Sequence, residues 1–292
     1  MRRGTIGHNT IKLPALVCAQ PEIRRGRMSL SQVSVAQDAL LFLAALVAGA
    51  LNSVAGGGSF ISFPTLLFTG VPAISANATN TTALTPGSLA SIFPYRAELG
   101  HQKRELIVLG LISAIGGALG AILLARTPPA VFERIIPFLL LIGTLIFTFG
   151  PLMTRALQRS RAARTDKPPR SLWTLIGMML AQSVISLYGG YFGGGVGIIM
   201  LAGFSLFGMT NIHEMNGLKV VLASIMNGVA TIAFAVLHII WWPLAILMAA
   251  GAIIGGWGGA TLAHVVPASR VRWFVIAVGF GLSIYFFLKP YL

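Results

Sequence analysis

Three consecutive glycines, Gly56, Gly57 and Gly58, stand inside otherwise lipid-grade sequence and are followed by small hydroxyl and amide side chains as far as Thr82. Glycine weakens a helix by about 1 kcal/mol relative to alanine, so a segment meant only to cross a bilayer would not be written this way. Where the glycines lead into a new helix at Ser59, freed backbone amides would point along the positive end of its dipole. That is an anion site needing no side chain. The competing use of membrane glycine is close helix packing. Gly193, Gly194 and Gly195 repeat the pattern. Broken helix within a membrane persists only where it is buried in protein or lines a wet cavity, and two such breaks in corresponding halves point to the substrate site of a secondary transporter.

Polar side chains within apolar runs need a partner or a function. For serine and threonine the ordinary partner is the carbonyl one helical turn back. Asparagine has a weaker excuse, since its amide leaves donors and acceptors unmet in lipid, and Asn52, Asn77 and Asn80 read as interhelical clamps or cavity lining. Glu214 and Lys219 are the only formal charges between Arg170 and Arg270. Glu214 sits beside Asn211 and His213 in an expected turn at the interface. Lys219 lies deeper, where it either snorkels out or supplies the positive charge of an anion site. Asn216 and Asn227 continue the polar line along the same helix. The candidate substrate-binding set is Gly56, Gly57, Gly58, Ser59, Asn77, Thr79, Asn80, Gly193, Gly194, Gly195, Asn216 and Lys219.

Enzymatic signals are thin. The five histidines, His8, His101, His213, His238 and His264, form no HExxH pair, and no carboxylate cluster offers a metal site. There is no GxSxG elbow and no Walker loop, so a serine hydrolase and an ATP-driven pump are not indicated, and no catalytic residue, cofactor or metal is expected. The single cysteine, Cys18, rules out an intramolecular disulfide.

The elements that position these residues are membrane helices. The chain of 292 residues is 55% hydrophobic and 10% charged, with a mean hydropathy of +0.83, values of an all-α polytopic membrane protein. Its net charge of +14 gathers in the N-terminal arm, a central linker and short loops, as topology determinants do, so nucleic acid is not an expected partner. The expected partners are the lipid bilayer and a small anion; the small-residue run 255–259 reads either as a contact with a second copy of the chain or as internal packing. A basic arm covers 1–35, with Met28 as an alternative start. A first membrane repeat covers 36–153, a basic, extended cytoplasmic linker 154–171, and a second membrane repeat 172–292.

The run at 59–70 is too short to span a core of about 30 Å at about 1.5 Å per residue, and reads as a re-entrant or half-length helix. The halves resemble one another as an internal repeat, each with a glycine-broken short or re-entrant helix. The sequence AGGGSFISFP answers to FGGGVGIIML. The stretch from Ala76 to Asn80 answers, with a one-residue slip, to that from His213 to Asn216, and the glycines at 116–120 answer to those at 255–259. Four crossings per half would make the repeats parallel and five would make them inverted. Positive-inside counting turns on whether the arm is included, so both remain open.

The stretches GALNSVAGGGSFISFPTLLFTGVPAISANATNTTAL, followed by Tyr95, and YGGYFGGGVGIIMLAGFSLFGMTNIHEMNGLK resemble the TauE/SafE sulfite exporter family, over roughly residues 36 to 290. The resemblance implies two homologous membrane halves and export of a small sulfur-containing anion, sulfite or an organosulfonate, across a cell membrane, the bacterial inner membrane being the expected one. Gly56 to Gly58, Gly193 to Gly195, Asn77, Thr79, Asn80, Asn216 and Lys219 match its motif positions. An anion channel and a non-transporting membrane scaffold are the alternatives.

Overall fold

The computed structural model describes residues 35–54, 56–96, 99, 103–162, 172–209, 211–262 and 268–288. The basic arm with Cys18 and Met28, and linker residues 163–171, lie outside the described residues. The described chain forms ten α-helices: α1 (Val35–Val54), α2 (Ser59–Phe68), α3 (Ala73–Ile92), α4 (Lys103–Arg126), α5 (Pro129–Ala162), α6 (Leu172–Tyr191), α7 (Val196–Leu206), α8 (Ile212–Val236), α9 (Trp242–Leu262) and α10 (Ala268–Leu288), with a short 3-10 turn at Phe93–Tyr95. Five helices, α1, α4, α5, α8 and α9, contain stretches long and apolar enough to cross a membrane. Residues 154–162, expected as extended linker, continue α5 instead. Their Arg, Leu, Gln and Ala side chains are good helix formers and no proline intervenes before Pro168.

Glycine lets these helices approach backbone to backbone. Along α1 and α9, Gly251 meets Phe42, Gly255 meets Leu46, and Gly259 meets Ala50 and Ser53. The facing numbers rise together, so α1 and α9 run parallel. Helix α3 runs parallel to α9 as well, with Thr79 at Trp241, Gly87 at Ala252 and Ser91 at Gly256. The same packing joins α4 to α6, where Ser113 meets Gln182, Gly116 meets Ser186 and Gly120 meets Gly190. The run 255–259, read as a possible contact between copies, is largely used within the chain. Among its glycines, only Gly258 would meet nothing within 4 Å if it carried a Cβ.

Helix direction follows from these contacts. Because α1 and α3 both parallel α9, the chain between them must return, and α2 is that return. It starts beside Ala48 and ends with Phe68 against Tyr285 and Phe286 of α10. Helix α7 does the same between α6 and α8: Gly177 faces Phe207, Ser205 faces Met215, and Gly189 faces both Val196 and Met226. Helices α3 and α8 are antiparallel, with Thr85 at Thr231 and Tyr95 at Gly217. Hence α1 and α3 point one way, α6 and α8 the other. Each half passes back and forth five times, with α2 or α7 as a half-length passage of about 15 Å.

The buried core follows this frame. One cluster joins α1, α2, α3, α5 and α9 around Phe60, Phe63, Phe132 and Phe147. A second joins α4, α6, α7 and α8 around Met200, Met215, Leu218 and Met226.

Candidate functional site

The site begins at the two glycine turns. Helix α1 ends at Val54, and the Gly56 amide turns back to donate to the Leu51 carbonyl at 2.9 Å. The Asn52 Oδ1 accepts the Gly58 amide at 2.8 Å, tying the turn to the helix it leaves. Gly56 has φ +81°, a left-handed conformation costing other residues about 1–2 kcal/mol. A Cβ on it would also lie 2.9 Å from Gly197 Cα. The second turn also carries left-handed glycines, Gly193 at φ +79° and Gly195 at φ +76°, the latter opening α7, and here the Tyr188 hydroxyl donates to the Gly194 carbonyl at 2.8 Å. The two turns therefore touch, and the starts of α2 and α7 come to one place.

A cavity lies there. Its walls include Asn52, Ser53, Gly56, Gly57 and Ser59 from the first turn, Gly193, Val196 and Gly197 from the second, and single faces of α3 and α8. It holds about 40 Å³ measured at the centres of water-sized spheres, room for about three waters at roughly 10–15 Å³ each. In α7 the first amides to bond back are Ile198 and Ile199, both to Gly195, so those of Val196 and Gly197 precede the ladder. In α2, Phe60 bonds back to Gly57 and Ile61 to Gly58, and Ser59 precedes them. Unladdered amides at a helix start carry the positive end of its dipole. Two such ends meet at this cavity.

Lys219 supplies the formal charge. Its side chain is 1% exposed, so the snorkelling expectation is not what the structure shows. The ammonium donates to Asn216 Oδ1 at 3.0 Å, to the Ser53 carbonyl at 3.3 Å and to the Val54 carbonyl at 3.5 Å. All three acceptors are neutral, and two of them are carbonyls at the C-terminal end of α1. The ammonium is held by dipoles, with its charge left for the cavity it lines.

Of the residues expected from sequence, Gly56, Gly57, Ser59, Gly193 and Lys219 line this cavity, and Asn216 holds Lys219 in place. Gly58 packs on Ala48 and Gly195 lies against Gly143 and Phe60, while Gly194 is tied to Tyr188. Thr79 accepts the Trp241 amide at 3.0 Å. Asn77 donates from Nδ2 to the Tyr191 carbonyl at 2.9 Å. Asn80 is fully buried, with no partner for either side-chain polar atom. These residues stand around the cavity rather than in its wall. Glu214 is at the surface, where its carboxylate accepts from the N-cap residue Asn211.

Sequence reasoning left out of the set Thr81, Leu84, Ser88 and Ser91 on α3, and Ala223, Met226 and Asn227 on α8. Their spacing by three and four was a usable signal, because it places each group on one helix face. The hydroxyls also sort themselves. Ser62, Thr65, Thr82, Thr85, Ser88 and Ser91 bond back to their own helices, as the ordinary reading of membrane serine and threonine expects. Ser59, Thr81 and Asn227 make no such bond within the described residues and face the cavity.

Among the described residues, ten helices, five of them long and apolar enough to cross a bilayer, around a buried lysine and two converging helix starts are the frame of a multi-pass membrane protein, and comparison with known proteins gives its class as a transporter. The chain belongs to the TauE/SafE sulfite exporter family, whose model matches residues 41–286. It is 30% identical over 253 residues to a "Probable membrane transporter protein ORF9" of Sinorhizobium sp., covering 86% of this chain and 93% of that one. A "Probable membrane transporter protein" of Haemophilus influenzae is 29% identical, covering 84% and 92%. "Probable membrane transporter protein YfcA" of Escherichia coli is 25% identical, covering 87% and 91%. No solved structure matches the chain. The family and these names point to membrane transport.

Proposed function

We propose that this protein is a secondary transporter that exports a small anion, sulfite or an organosulfonate, from a site between its two halves. The observation that carries the reading is Lys219, a buried ammonium whose partners are all neutral oxygens, in the wall of a cavity fed by two helix starts. An anion there would meet the ammonium, the first amides of α2 and α7, and the Ser59, Thr81 and Asn227 side chains. A volume of about 40 Å³ fits a compact oxyanion such as sulfite better than a longer organosulfonate.

The helix directions support an inverted repeat. Counted from the first residues of α3 and α8, Asn77 falls opposite Asn216, Thr81 opposite Val220 and Ser88 opposite Asn227. The last two pairs line the cavity together, so it lies between equivalent elements. Exchange of conformation between two such halves would open the site alternately to each side.

The test is thermal stabilisation of the detergent-purified protein by sulfite, sulfate, thiosulfate, taurine, sulfoacetate and acetate, in wild type and in Lys219→Met. An anion present at about 100 times its Kd adds about 2.7 kcal/mol to the folded state. One anion should stabilise the wild type and not the variant, and the same anion should leave loaded vesicles through the wild type only. If none of these anions stabilises the wild type, the reading fails. Flux that never saturates and shows no counter-exchange would make the protein a channel.

A further inference from the structure

The geometry points to a monovalent-cation site where α3 meets the end of α6, formed by Asn77 Oδ1, Asn80 Oδ1 and main-chain carbonyls at the C-terminal end of α6. The starting observation is a deficit. Asn77 is 1% exposed and Asn80 is 0% exposed, yet Asn77 Oδ1 and both polar atoms of Asn80 have no hydrogen-bond partner. A buried polar atom without a partner costs about 1–3 kcal/mol, and the two amide oxygens, Asn77 Oδ1 and Asn80 Oδ1, are the ones a cation would meet. The residues are three apart on α3 and so share a face. Asn77 holds the Tyr191 carbonyl and Thr81 shares the cavity wall with Gly193, which puts Asn80 beside the turn that ends α6.

The end of α1 shows what such an arrangement accommodates. Asn77 corresponds to Asn216 and Asn80 to Lys219, counting from the starts of α3 and α8. Aligning Gly56 with Gly193 likewise sets Tyr191 opposite Val54. Where α8 meets the end of α1, the Lys219 ammonium sits on Asn216 Oδ1 and on the carbonyls that end α1. Where α3 meets the end of α6, the corresponding oxygens are an asparagine Oδ1 and the carbonyls that end α6, with a short neutral Asn80 in place of a tethered cation. A helix C-terminus carries negative partial charge, and unwound carbonyls with half-helix ends are the usual ligands of coupling cations. With neutral ligands and no carboxylate among those named, the donor set suits one positive charge rather than a divalent ion. A free cation bound there would balance the anion's charge and link its passage to a cation gradient.

The experiment follows melting temperature of the purified full chain in sodium, potassium, lithium or choline chloride, at equal chloride concentration and without any substrate anion. Sodium, potassium or lithium should raise Tm over choline by about 5–10 °C at saturation. Asn80→Ala should remove that rise while Tm in choline changes little. Asn80→Lys should supply the ammonium internally and make Tm independent of the cation. Equal melting of the wild type in all four salts, as a bound water would give, overturns the proposal. So does a cation-dependent rise that survives in Asn80→Ala. The readout contains no transported anion and leaves Lys219 intact, so its failure is separable from failure of the transport reading.

Discussion

The ends of α1 and α6 both lead into a run of three glycines, and they are completed in two ways. Each helix stops at a glycine turn that lets the chain double back, and each has a C-terminal carbonyl held by a side chain from the other half, Lys219 of α8 for α1 and Asn77 of α3 for α6. At the end of α1 the partner is Asn216 with Lys219, and the charge is covalently built in. At the end of α6 it is Asn77 with Asn80, and three polar atoms are unmet. One helix end receives a cation as a side chain; the other is bordered by two amide oxygens without a partner. The two helix ends thus differ in charge although each is held by a side chain from the other half.

The largest effect is expected where the halves differ most. Lys219→Met removes the ammonium while keeping much of its length and volume. An anion losing a charge-assisted hydrogen bond forfeits about 1.5–3 kcal/mol, which is roughly 10- to 150-fold in affinity. Anion-dependent stabilisation and vesicle efflux should fall accordingly while the protein still elutes as a folded species. Retained efflux with lost thermal stability would instead make Lys219 a packing residue, and the difference between the helix ends would be one of structure alone.

Packing, in contrast, should be matched between halves. Gly117 of α4 lies against the Met226 carbonyl, and Gly256 of α9 against the Gly87 carbonyl; a Cβ at either would collide with main chain. The pairs correspond residue for residue when α3 is set on α8 and α4 on α9. Gly117→Ala and Gly256→Ala should each cost about 1–3 kcal/mol by overpacking, read as comparable falls in Tm. Markedly unequal falls would mean that the two parallel-helix contacts are not equivalent.

Much of this was legible in the sequence, and the limits have physical causes. The glycine runs located both turns because no ordinary helix keeps three adjacent glycines, and Lys219 stood out because a lone charge in lipid needs a reason. Helix direction was not legible: a ten-residue helix can be re-entrant or complete a crossing, and contacts such as Gly251 with Phe42 decide it. Nor could asparagine roles be assigned from type. Asn216 positions Lys219, Asn77 holds a helix end, and Asn52 caps a turn, since an amide can serve any of these with the same atoms. The cavity-facing Thr81 and Asn227 were diluted among hydroxyls and amides that bond within the protein.

A smaller difference lies at the starts of α3 and α8. Pro72 is the N-cap of α3 and offers no side-chain bond, whereas Asn211 caps α8 by accepting the His213 amide at 3.0 Å. Asn211→Ala should lower stability by about 1 kcal/mol, within the range of about 0.5–2 for such caps. The fall should appear in Tm with little change in anion affinity. A loss of anion binding as large as that in Lys219→Met would show that the start of α8 moves during transport.

The least perturbing change tests the same comparison from the other side. Gly258 on α9 would meet nothing within 4 Å if it carried a Cβ, and its counterpart on α4, set helix start on helix start, is an exposed Leu119. The first half thus keeps a large side chain where the second keeps none. If Gly258 is there only for lack of a constraint, Gly258→Ala should stabilise the protein by up to about 1 kcal/mol through helix propensity, with anion stabilisation unchanged. A fall in Tm would mean that something closes on α9 at this face, and a shift of the purified protein to a smaller assembly would identify it as a second copy of the chain. Unchanged assembly with reduced efflux would place the closing surface within the chain, in another conformation of the two halves.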